Sequence, residues 1–392
     1  MSELATAIAS ATSVRAMGSR HSFNTIANAA TIIDTTAMPE FLELSIDRDA
    51  VTVNGGMTYG RLVELLAPFG FAVHNLASLP HISIAGAIAT GTHGSGDRNG
   101  NLATAVRALQ ILTAEGEVLA LQRGDHDFDG AVVSLGALGV VTSVTLDIEP
   151  AFQVEQRVYD GPSLAELGEA FGSIFSSAYS VSAFTPYRGQ AEQIWVKRRV
   201  DEPVIALGYG EATEKRHPIL TLAADACTEQ FGEPGLWAHR LPHFKLEFNP
   251  SVGEEVQSEF FVDRADAAAA IEAVDAVGDQ LADAMMIGEL RTVAADELWM
   301  SPHVGRDSMA LHFTWTADPA LAAAAARTVA DALGDLSPRA HWGKEFDPAQ
   351  FDLSQFKKLD QFLALVDRVD PKGKFRNSWH DQIFTGTVGD SL

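Results

Sequence analysis

Residues 83–96 read Ser83-Ile84-Ala85-Gly86-Ala87-Ile88-Ala89-Thr90-Gly91-Thr92-His93-Gly94-Ser95-Gly96, and apart from two isoleucines and one histidine every side chain is small. A backbone this bare suits close approach to a flat ligand, with Thr90, Thr92 and Ser95 as hydrogen-bonding groups. The run is not a Walker loop, because no Gly-Lys-Ser/Thr follows. It is not a Rossmann fingerprint either, since Gly94 and Gly96 lack a third glycine at the right offset. A nucleophile elbow needs Gly-x-Ser-x-Gly, which Gly94-Ser95-Gly96 does not supply. A second bare loop lies upstream, Met17-Gly18-Ser19-Arg20-His21-Ser22-Phe23-Asn24, directly after the strand-like run Ser13 to Met17. Glycine there lets successive backbone N–H groups converge on an anion. An imidazole just beyond such a site is a base, a metal ligand or a covalent attachment point. The plainer alternative is a strand-to-helix connection capped by Ser22 or Asn24.

Composition narrows the classes. With 392 residues and 46% hydrophobic content, the chain has material for a substantial core and two domains. Twenty-eight basic against fifty-two acidic residues leave a net charge of −24, which argues against nucleic acid or an anionic membrane as partner. A lone cysteine, Cys227, excludes an intrachain disulfide framework. The N-terminus lacks a basic, apolar leader and no run approaches about 20 apolar residues, so a cytoplasmic monomer is expected. His74, His126, His217, His239, His303 and His380 show no metal-ligand spacing and are expected as surface or capping residues.

Strand-like runs (50–53, 106–113, 140–148) mix with amphipathic or alanine-rich helical stretches at 59–69, 263–284 and 318–333. The pattern predicts an α+β fold rather than a βαβ series: a first domain over 1–150, a second of antiparallel sheet covered by helices over 151–340, and a C-terminal segment over 341–392. In Met286-Ile287-Gly288-Glu289-Leu290-Arg291-Thr292-Val293, a strand places Glu289 and Arg291 on one face. Met309 to Trp315 repeats the device with His312 and Thr314. Two such strands side by side would line a pocket, although the pattern alone equally fits a solvated sheet face with an ordinary salt bridge. Trp237, His239, His243 and Phe244 form an aromatic patch that is either pocket wall or core.

Taken together, several strings resemble the vanillyl-alcohol oxidase family of FAD-linked oxidoreductases, in its aldonolactone oxidase branch and most nearly the alditol oxidases. They are Gly18 to Asn24, Ala77-Ser78-Leu79-Pro80-His81-Ile82-Ser83, Ala89 to Gly96, Ser134 to Thr142, Arg291 to Asp296 and His341-Trp342-Gly343-Lys344. The resemblance runs from about Met17 to Phe384 and implies the two-domain FAD-binding fold of that family, with 1–150 as the FAD-binding domain, 151–340 as the substrate domain and 341–392 as a return to the first. It implies FAD carried covalently on His21, with Ala16, Met17, Gly18, Ser19, Arg20 and Ser22 at the pyrophosphate. Ser83, Gly86, Thr90, Gly91, Thr92 and His93 would lie along the cofactor, and Val141 near its adenine. The run 135–140 is otherwise expected to be a buried turn. Ser78, Glu289, Arg291, His312, Thr314 and Lys344 would surround the flavin and a polyol substrate, with His312 a candidate base. The stretch Gly373-Lys374-Phe375-Arg376-Asn377 resembles the segment that closes over FAD, so the chain is expected to return to the first domain after His341. The implied activity is oxidation of an alditol's terminal hydroxyl with dioxygen as acceptor and no metal; the alternatives are an aldonolactone oxidase or dehydrogenase and a non-catalytic flavin- or sugar-binding protein. The family pattern also carries an additional N-terminal strand before the helix that here begins at Met1, and its loss would leave an exposed edge near the adenine end.

Overall fold

The computed structural model describes residues 2–248 and 255–385, so residues 249–254 and 386–392 of the expected second and third segments lie outside the described residues. Strand β1 (Val14–Met17) pairs in parallel with β2 (Thr31–Asp34). A five-stranded antiparallel sheet follows, in the order β3-β4-β8-β6-β7. Its strands are β3 (Leu42–Leu44), β4 (Ala50–Asn54), β6 (Val106–Leu112), β7 (Val118–Gln122) and β8 (Val140–Asp147). In β8 the alternate residues Val140, Val144 and Leu146 are wholly buried, the period expected of a strand with one face on a core. A short ribbon joins β5 (Phe71–Ala72) to β9 (Glu149–Pro150).

The second sheet has eight strands in the order β13-β10-β12-β11-β15-β16-β14-β17, antiparallel throughout. They are β10 (Gln153–Asp160), β11 (Ser180–Thr185), β12 (Gln193–Arg199), β13 (Gly235–Leu236), β14 (Val256–Asp263), β15 (Met285–Val293), β16 (Ser308–Trp315) and β17 (Arg339–Ala340). One face carries Phe260, Leu290, Leu311 and Phe313, all wholly buried, in one core with Leu167, Ile271 and Val329 of three helices. Those helices are Leu164–Phe175, Ala267–Ala276 and Pro319–Ala332. Ser163 and Glu166 form a reciprocal capping box on the first, and Asp318 caps the third through Ala320 and Leu321 N–H. With helices on that face, the other is left for a site.

Three local expectations change. The helix expected over 263–284 breaks into a 3-10 turn (Arg264–Asp266), the helix Ala267–Ala276 and one short turn (Gly278–Leu281). The break falls where the chain presses on a neighbour, since a Cβ at Gly278 would lie 1.7 Å from the Tyr187 carbonyl oxygen. The stretch 59–69 is α-helical only over Tyr59–Leu66, then tightens to a 3-10 turn that Gly70 ends at φ 73°. No helix follows the His21 loop either. Instead of capping one, Asn24 donates from Nδ2 to the Trp342 and Lys344 carbonyls at 2.9 and 2.7 Å.

The chain beyond His341 packs on its beginning. Val14 N–H donates to the Lys374 carbonyl at 2.8 Å, Phe23 N–H to that of Gly343 at 2.8 Å, and the buried Arg15 guanidinium to that of Phe375 at 2.6 Å. Among the described residues no helix is long and apolar enough to cross a membrane.

Candidate functional site

The loop after β1 is shaped by close contacts. A Cβ at Gly18 would sit 1.9 Å from Ser83 Oγ, so only glycine lets the two bare segments meet. Arg20 is held in the left-handed region at φ 62°, an uncommon conformation for a side-chain-bearing residue. The backbone N–H groups of residues 19–22 have no protein acceptor among the described residues. Such a run of unpaired donors is a concavity for an anion. Ser83 N–H donates to Ser19 Oγ at 2.8 Å, and that hydroxyl stands 3.2 Å from His21 Nδ1. Burial lowers the His21 pKa, so the half-buried ring is neutral and keeps a lone pair.

One cavity of about 510 Å³ runs from this loop to the polar face of the large sheet. Residues 16–22, Ser78, Ser83, Gly86, Thr90, Thr92, His93 and Val141 line it, as do Glu289, Arg291, His312, Thr314 and Lys344. The unpaired N–H groups fit a diphosphate, and the glycine- and alanine-rich wall fits a flat ring system such as the isoalloxazine of FAD. Two residues expected along the cofactor stand elsewhere. Gly91 packs behind the wall, where a Cβ would lie 2.8 Å from Pro302 Cδ. Asn377 clamps the first loop from outside, donating to the carbonyls of Thr25, Ile26 and Asn28 at 3.1, 3.2 and 2.9 Å. Conversely, the run expected to be only a buried turn contributes Leu135, Gly136 and Gly139 to the wall. Leu135 takes φ 55°, and Arg15 holds the Leu135 and Gly136 carbonyls at 2.7 and 2.8 Å.

Antiparallel register assembles the polar face. Glu289 on β15 stands opposite His312 on β16, which stands opposite Glu259 on β14. The next row is Ile287, Thr314 and Gln257, and Arg291 lies two residues from Glu289 on the same face. Glu259, with its side chain 1% exposed, sits 2.7 Å from Lys344 Nζ, 3.5 Å from Arg291 Nη2 and 3.2 Å from His93 Nε2. Burial alone would raise its pKa, but Lys344, His93 and Arg291 hold it well below the ordinary carboxylate range. Glu289 is likewise held low against its burial by Arg291 and His243, which approach its Oε1 at 3.1 and 2.8 Å. Arg291 also reaches Ser78 Oγ at 3.4 Å.

His312 has a defined tautomer. Its Nε2 lies 3.0 Å from Gln257 Oε1, an acceptor, so Nε2 carries the proton. Nδ1 is buried without a partner, and burial together with Lys344 holds the ring pKa well below its ordinary value. A neutral imidazole with a free lone pair therefore stands between two carboxylates and two cations.

Glu259 and Gln257 escaped the sequence reading, yet their spacing on β14 repeats that of Glu289 with Arg291 and of His312 with Thr314. A third strand bearing polar residues two apart was the available signal. The aromatic patch divides: His243 and Phe244 line the cavity, while Trp237 is core beside Phe152. His303 and His380, expected at the surface, are buried, and His217 lines the cavity. Among the described residues, no group of three or more His, Cys, Asp or Glu side chains is placed to hold a metal.

Comparison with known proteins gives concordant matches. Residues 2–122 match the FAD binding domain family and residues 252–383 the D-arabinono-1,4-lactone oxidase family. The chain is 43% identical to an alditol oxidase of a Streptomyces species, over 93% of this chain and 89% of that protein. It is 30% identical to an L-gulono-1,4-lactone dehydrogenase of Mycobacterium tuberculosis, over 96% of this chain and 92% of that one. Among solved structures, a solvent-stable cholesterol oxidase superposes with a TM-score of 0.75 at 15% identity, covering 95% of this chain and 90% of that chain, a likeness of fold.

Proposed function

The chain belongs to the vanillyl-alcohol oxidase type of FAD-linked oxidoreductases, in the branch of the alditol and aldonolactone oxidases, and from that premise we propose that it oxidises the terminal hydroxyl of an alditol such as xylitol or sorbitol to the aldose, with dioxygen reduced to hydrogen peroxide. The observation that carries this reading is the polar face itself, where Arg291, Lys344, Glu289 and His312 line one cavity wall. A polyol offers neutral hydroxyls that lose water on entry, and each needs a new partner.

When bound, FAD supplies the hydride acceptor and the place where dioxygen is reduced. The chain's residues do the rest. Glu289 accepts from a substrate hydroxyl, while Ser78 and Thr314 fix the carbon chain. Arg291 and Lys344 stabilise negative charge developing on the reacting oxygen. His312, neutral and lining the same wall, is the candidate base for the hydroxyl proton. His21 carries the cofactor covalently, and the backbone of 19–22 holds its diphosphate. We also read the protein as a cytoplasmic monomer acting on freely diffusing molecules, consistent with its charge of −24.

An anaerobic visible spectrum tests the activity. Xylitol is expected to bleach the flavin bands and air to restore them; bands that stay unchanged with xylitol but bleach with an aldonolactone would move the assignment to the second reading. The match of residues 252–383 to the lactone oxidase family is what favours that alternative. A separate measurement addresses His21. Wild-type protein precipitated in acid is expected to retain its yellow colour, and His21→Ala to release flavin to the supernatant; release from both would remove the covalent assignment.

A further inference from the structure

Behind the cavity wall, Lys197 on β12 is 1% exposed, and no carboxylate among the described residues lies within ion-pair distance of it. Its ammonium donates to the Leu241 carbonyl and approaches His243 Nδ1 at 3.1 Å. Phe184 and Trp195 pack edge-on against the His243 ring, with centroids 5.5 and 5.3 Å away, so the ring has one orientation. The opposite nitrogen, Nε2, stands 2.8 Å from Glu289 Oε1.

Burying an ammonium without an anion is unfavourable, and here it pushes Lys197 down to about 7. A methionine would fill nearly the same space without that cost, so packing does not account for a lysine. Hydrogen-bond direction does. The Glu289 carboxylate only accepts, so His243 Nε2 donates to it and Nδ1 is left as an acceptor, which Lys197 Nζ, a donor in either protonation state, satisfies. Burial and the adjoining Lys197 lower the His243 pKa to about 4, so the ring is neutral and its single proton must lie on Nε2, facing the carboxylate. The other tautomer would aim a nitrogen lone pair at Glu289. Glu289 thus takes His243 and Arg291 on Oε1, with no protein donor to Oε2 among the described residues, and it lines the cavity.

We propose that Lys197 is a positioning residue for substrate binding, fixing the tautomer of His243 and through it holding Glu289 as a hydrogen-bond acceptor for a substrate hydroxyl. The proposal rests on the polyol reading for the nature of that hydroxyl.

The test is Lys197→Met in the flavin-loaded enzyme, with Lys197→Arg, which keeps a donor, as the conservative variant. Lys197→Met is expected to raise KM for xylitol about tenfold, the effect of one charge-assisted hydrogen bond, with the rate at saturating xylitol changed far less. Lys197→Arg is expected to recover part of that loss. KM unchanged in Lys197→Met, or kcat falling as much as kcat/KM, would overturn the assignment. Nitrogen-15 imidazole spectra of the unmodified holoenzyme without substrate provide a readout that needs neither variant nor turnover. A protonated Nε2 on His243 supports the relay, and a protonated Nδ1 overturns it. If the Nε2 tautomer is found but xylitol does not reduce the flavin, the polyol reading fails while the positioning of Glu289 stands.

Discussion

Lys344→Ala is expected to lower turnover on xylitol by roughly a hundred- to a thousandfold, the usual cost of removing one group that stabilises charge developing in a transition state. Flavin content should not change, because Lys344 touches the first loop through its backbone carbonyl, which alanine keeps, while its side-chain ammonium engages Glu259. The side chain is half-buried and anchored, with Nζ 2.7 Å from Glu259 Oε2, so its charge is already in place before substrate arrives. Burial lowers its pKa and Glu259 opposes that shift. Glu289→Gln, which keeps shape and loses the charged acceptor, should lower turnover while flavin is again retained. Steady-state rates of peroxide formation, normalised to bound flavin, measure both. A fall in Lys344→Ala of less than about threefold would place that lysine outside the reaction.

Glu259→Gln should do more damage to the protein as a whole. One carboxylate there answers Lys344, Arg291 and His93, and of the four groups Glu259, Arg291 and His93 are buried. Removing one partner of such a buried cluster leaves the others uncompensated, at a cost of about 3–5 kcal/mol in folding free energy. His93 sharpens the expectation. Its Nδ1 faces the Gly94 carbonyl at 2.7 Å and must donate, and its Nε2 stands 3.2 Å from Glu259 Oε1. Turnover should fall with stability, because Lys344 and Arg291 lose the anchor that aims them. Chemical denaturation of the two flavin-loaded proteins, read beside kcat/KM, separates the effects. Equal midpoints and equal rates would show that Glu259 is dispensable.

Much of this was legible in the linear chain where the physics is local. Bare segments such as Gly18 to His21 and Ala85 to Gly96 announce close backbone approach whatever the surroundings. A period of two announces which side chains share a strand face, as with Glu289 and Arg291 or His312 and Thr314. The start of the helix at Asp318 was readable for the same reason, since that residue caps the turn that follows it. Where local rules failed, a distant contact had intervened. The break in the 263–284 helix comes from the Tyr187 carbonyl, and the absent helix after Ser22 from carbonyls more than three hundred residues away that engage Asn24.

The sequence by itself therefore determined the two bare loops, the α+β character and the polar pairs on each strand, because glycine freedom and side-chain alternation are properties of a few consecutive residues. Only the tertiary structure decided that β14, β15 and β16 lie side by side in a register that sets Glu259, His312 and Glu289 in one row. It alone brought Lys344, His93, His243 and Lys197 to that row, made Leu135 and Gly136 part of the cavity wall, and withdrew Gly91 and Asn377 from it. Charge neutralisation and hydrogen-bond direction in a buried site depend on distances between atoms, and those distances exist only once strands from separate parts of the chain have paired.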